Sequence, residues 1–87
     1  MSITTDEITR RTIQVLLKIK PDSQAFVPEH YDTPLTSPEM GMRRYDMVYL
    51  FLELMEEFGI RFEKEDVCDY KFSTIRNIVE IILGKLA

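Results

Sequence analysis

With 87 residues, the chain has room for one small domain around one modest core. At 45% hydrophobic and 30% charged residues it has the composition of an ordinary globular protein and not of a disordered chain. A formal net charge of −4 makes nucleic acid and anionic membrane surfaces poor partners and suits a partner with a basic patch.

The first predicted helix runs from about Thr4 to Lys20. Thr4 and Glu7 have capping-box spacing, and Asp6 adds negative charge to the first turn. Ile8, Thr12, Val15, Leu16 and Ile19 recur on one face, and Pro21 closes the pattern. Residues 21–42 hold no lasting period and are punctuated by Pro21, Pro28, Pro34 and Pro38. They read as a long loop, functional or partly mobile, with Phe26, Val27, Tyr31 and Leu35 as candidate anchors to the core. The single histidine, His30, falls in this stretch as a solvated loop residue.

A second helix is expected over about 43–58, closed by Gly59 at the position that favours a left-handed residue. A short acidic helix follows over about 64–70 and contains the single cysteine, Cys68. One cysteine cannot close an internal disulfide, and one histidine beside it gives little from which to build a zinc site or a Cys-His nucleophile pair. Ser73 or Thr74 can cap the last helix, about 74–86, whose apolar face is Ile75, Ile78, Val79, Ile82 and Leu86. The fold class expected is therefore all-α: three main helices and one short one, with the long loop between the first and second. No secretory signal or spanning stretch is legible, so the expected compartment is the cytoplasm.

The second helix carries more apolar residues than one buried face uses. Met47, Leu50, Phe51, Leu54 and Phe58 fall within about 100° of one another and form the core stripe. Tyr45, Val48, Tyr49, Leu52 and Met55 form a second stripe flanked by Glu53, Glu56 and Glu57. Either the long loop folds over this second stripe, or the stripe is an exposed partner-binding face rimmed with acid.

The order of these elements resembles the acyl carrier and peptidyl carrier proteins across nearly the whole chain. The likeness is most specific over "MGMRRYDMVYLFLELMEEFGIRF", which lies without gaps on the family pattern "LGxDSLDxVELxxxLEEEFxIxI". Gly41, Asp46, Val48, Leu50, Leu54, Glu56, Glu57, Phe58 and Ile60 match it. The family's Asp-Ser-Leu is replaced by Arg43-Arg44-Tyr45. In carriers that serine receives the 4′-phosphopantetheine arm. Arg44 in its place has no hydroxyl and stays protonated, so no phosphopantetheine cofactor is expected. The loop "DTPLTSPEMGM" followed by "DMVYLF" is similar to the peptide maturation system acyl carrier-related proteins, small carrier-like proteins of bacterial peptide-modifying gene clusters.

The resemblance implies a non-catalytic docking module that presents its second helix to pathway enzymes or a peptide substrate. The candidate partner-binding residues are Arg43, Arg44, Tyr45, Val48, Tyr49, Leu52, Glu53 and Glu56, with a monomer expected. Two arginines at a helix start oppose its dipole, so they are either tolerated and solvated, with Asp46 offsetting them, or they contact an anion. Two other readings remain open. One is a true carrier modified on Ser37 or Tyr45; the other is a self-associating helical domain closed through the second stripe. No acid–base pair or metal-ligand spacing points to an enzyme.

Overall fold

The computed structural model describes residues 3–67 and 73–86. Four helices follow one another: α1 (Thr5–Ile19), α2 (Arg44–Phe58), the short α3 (Lys64–Val67) and α4 (Ile75–Leu86), and no strand is present among the described residues. None of the described helices is long and apolar enough to cross a membrane. Cys68 and the far end of the predicted short helix lie outside the described residues.

Each helix begins where a side chain can satisfy a free N–H. Thr4 is the N-cap of α1, and its hydroxyl accepts from the Glu7 N–H at 3.2 Å. At the start of α4 the cap is Thr74 rather than Ser73: its hydroxyl accepts from the Asn77 N–H at 3.1 Å. The Asp66 carboxylate accepts from the Glu63 N–H before α3 and pairs with Lys85 at 2.8 Å, tying the short helix to α4. Gly59 ends α2 in the left-handed region at φ 64°, and the next N–H, Ile60, returns to the Met55 carbonyl at 3.1 Å.

The core is built from the faces the periodicity marks: Ile8, Val15 and Leu16 of α1, Leu50, Leu54 and Phe58 of α2, and Ile75, Ile78, Val79 and Ile82 of α4. α1 packs against both α2 and α4. Phe62 turns in after α2 with its ring 5.0 Å from that of Phe51.

The stretch between α1 and α2 is a chain of tight turns, including a single 3-10 turn at Pro28–His30, stitched to the rest at several points. Leu35 is the centre of this stitching. Its side chain is fully buried, its N–H donates to the Ser73 carbonyl at 2.8 Å, and its carbonyl accepts from Met42 at 3.0 Å. The Tyr31 carbonyl accepts from the Arg76 N–H at 3.0 Å, and Asp32 bonds the Arg76 guanidinium at 2.6 Å. That hydrogen bond, and then the charge of Asp32, raise the Arg76 pKa above its ordinary value. Of the four expected anchors, Phe26 and Leu35 are buried and Tyr31 is half-buried, but Val27 points outward, 36% exposed. Met40 and Met42, at 3% exposed, supply the further anchors just before α2. His30 is half-buried, its Nδ1 3.3 Å from the Thr33 hydroxyl.

Candidate functional site

Four of the five residues of the second stripe of α2 are bare. Tyr45, Val48, Tyr49 and Leu52 are 58%, 59%, 60% and 53% exposed, the largest exposures among the big apolar side chains described. The loop does not cover them; its Phe26, Leu35, Met40 and Met42 lie in the core instead. Large apolar side chains left in water on one face of one helix are of the kind that interaction surfaces present.

Two members of the expected rim and stripe leave this face. Met55 is half-buried and packs against the core, because it lies on the edge of the stripe nearest the core-facing side. Glu57 is taken up by α1: the Arg11 guanidinium donates to its carboxylate at 2.8 Å and to its backbone carbonyl at 2.7 Å. The same guanidinium stands 4.5 Å from the centre of the Phe58 ring. Arg11 therefore satisfies a carbonyl at the negative end of α2 with positive charge. The acid left beside the strip is Glu53, half-buried, and Glu56, exposed.

At the other end, Arg43 is the N-cap of α2 and Arg44 its first helical residue. A guanidinium has no acceptor, so Arg43 cannot serve the free N–H groups of the first turn through its side chain. Only half of a capping box remains: the Asp46 carboxylate accepts from the Arg43 N–H at 3.0 Å. Asp46 is buried, and its carboxylate also pairs with Lys20 at 3.2 Å. It is thus an internal tie between the end of α1 and the start of α2. Its charge lies in the first turn of α2, but it is unavailable as a surface charge. Arg43 and Arg44 are exposed and make no ion pair among the described residues.

An N-cap without an acceptor costs stability. Arg43→Ser is expected to stabilise the domain by about 1 kcal/mol, a rise in thermal midpoint of about 4–8 °C. A midpoint unchanged or lowered contradicts this account of the helix start.

Beside the strip, an open groove of about 330 Å³ runs between the helices, lined by Lys18 and Ile19 of α1 and by Asp46, Tyr49 and Glu53 of α2. Tyr49 belongs to both groove and strip. All eight candidate residues therefore lie along α2, from its cap at Arg43 to Glu56 in its last turn. Neither arginine has a nucleophilic oxygen to accept a phosphoryl group. Of the two hydroxyls considered for the arm, Ser37 Oγ is buried, whereas the Tyr45 ring is exposed.

Sequence reasoning missed Arg11, which lies on the polar side of α1 and finds Glu57 at a separation of 46 residues. No protein-family model, curated protein or solved structure matches the chain.

Proposed function

We propose that the protein is a carrier-related, non-catalytic docking module, presenting α2 to enzymes of a peptide-maturation or acyl-tailoring pathway without bearing a phosphopantetheine arm. The observation that carries this reading is the bare strip of Tyr45, Val48, Tyr49 and Leu52, set between arginines and glutamates that make no ion pair among the described residues. Resemblance to carriers supplies the pathway class; the substitution Arg43-Arg44-Tyr45 supplies the loss of the arm. An arginine pair kept at a helix start despite its cost suits a role in contacting a partner's carboxylate or another anion. Burial of Ser37 Oγ weighs against covalent carriage there.

Intact mass after incubation with a broad-specificity phosphopantetheinyl transferase and coenzyme A tests the arm. The wild-type chain is expected to stay at its own mass, while a variant carrying Arg43→Asp, Arg44→Ser and Tyr45→Leu gains one arm. A wild-type chain that gains the arm restores the carrier reading. If neither protein gains it, the relation to carriers loses its support. Docking itself is read by titrating purified enzymes encoded beside this chain: Tyr49→Ala with Leu52→Ala is expected to weaken binding at least tenfold, by removal of two central apolar contacts. Binding unchanged by that pair would move the docking face off α2.

A further inference from the structure

The order of charge along α2 makes its open face complementary to itself. Arg43 and Arg44 stand at the N-terminal end, the four bare apolar side chains occupy the middle, and Glu53 and Glu56 follow toward the C-terminal end. Ion pairs among the described residues join Glu7 with Arg10, Arg11 with Glu57, Lys20 with Asp46, Asp32 with Arg76 and Asp66 with Lys85, while other surface charges such as Asp6, Asp22 and Glu29 join none of these. The four charges framing the strip make no such pair among the described residues.

We propose that the resting occupant of this face is a second copy of the same chain, its α2 antiparallel to the first about a two-fold axis that passes between the two helices at mid-length. This rests on the reading of the strip as the docking face and names what fills it when no enzyme is bound. Arg44 and Glu56 lie six positions to either side of Leu50, about 9 Å each way along the axis at 1.5 Å per residue. Turning one copy end over end therefore brings Arg44 of each level with Glu56 of the other at two equivalent junctions; the two positions stand about 120° apart around the helix, a gap that their long side chains span. Val48 and Leu52 lie two positions to either side of the same centre and exchange places, so apolar meets apolar. Such an interface uses one patch twice, the form that closed two-fold dimers take. A parallel arrangement would set arginine on arginine and glutamate on glutamate.

The strip is too small for a permanent dimer. Four exposed apolar side chains and a charged rim make a small patch, which suits a weak, exchanging dimer rather than a permanent one. A partner enzyme with a wider footprint then displaces the second copy, and self-association keeps the aromatic strip covered until it does.

A charge-swap pair tests the arrangement. One variant carries Arg43→Glu and Arg44→Glu; the other carries Glu53→Lys and Glu56→Lys. All four positions are outside the core, and circular dichroism checks that each variant is folded. Sedimentation velocity over a dilution series, with amide shifts of Tyr45 to Glu56, reads association. The wild type is expected to associate, each variant alone to associate at least tenfold more weakly, and an equimolar mixture of the two to return to within about threefold of wild type. In the mixture alone, both junctions are again of opposite charge. A wild type monomeric at about 1 mM overturns the proposal, as do variants that associate like wild type or a mixture no tighter than its components. If the wild type stays monomeric while Tyr49→Ala with Leu52→Ala still weakens enzyme binding, self-association falls and the docking reading stands.

Discussion

Leu35→Ala is expected to cost about 3 kcal/mol, a large share of the stability of a domain this small. The side chain is fully buried, and its removal leaves a cavity where the turn-rich segment meets the core. More than packing is at stake, because both Leu35 backbone groups are also used, to Ser73 ahead of α4 and to Met42 ahead of α2. With the side chain gone, these two hydrogen bonds lose the anchor that sets their geometry. Urea denaturation should show the loss directly, and hydrogen exchange should show the Leu35 and Met42 amides losing protection before those of α1. Val27→Ala, at an outward-facing position in the same segment, is the control and should stay within about 0.5 kcal/mol of wild type. Equal effects at the two positions would mean that the segment is not pinned through Leu35.

Arg11→Met is expected to cost about 2 kcal/mol. Methionine keeps the apolar stem along the Phe58 ring but has no donors. The Glu57 carboxylate, its side chain 31% exposed, and the Glu57 carbonyl at the end of α2 both lose a charged partner. Arg11→Lys should fall between wild type and Arg11→Met, since an ammonium restores the charge but not the fork that reaches both oxygens. Glu57→Gln should cost less than Arg11→Met, because the guanidinium still holds the backbone carbonyl. A Met variant as stable as wild type would show that the fork contributes nothing net, as many exposed ion pairs do.

The helices were legible because their signals are local. Thr4 with Glu7 caps α1, a stripe of Ile8, Thr12, Val15, Leu16 and Ile19 faces the core, and Gly59 stops α2. The two stripes of α2 were legible for the same reason, and the structure separates them into a buried and a bare face. What escaped was everything settled at long range. Met40 and Met42 anchor the segment before α2 through non-local packing, and no period distinguishes them from Val27, which points outward. Arg11 sits among the polar residues of an amphipathic helix, where a structural arginine has no local mark to set it apart from a solvated one. Asp46 was visible as an acid near two arginines, but its burial and its pairing with Lys20 depend on where α1 ends relative to α2.

Leu35 through Met42 at one end and Arg11 at the other hold α2 like a bar clamped in two vices. With both ends tied into the domain, α2 is expected to surrender little backbone freedom on binding, so whatever settles on Tyr45, Val48, Tyr49 and Leu52 pays chiefly for its own ordering. Discrimination among visitors then falls to fit and charge, since the bar does not bend to accommodate them.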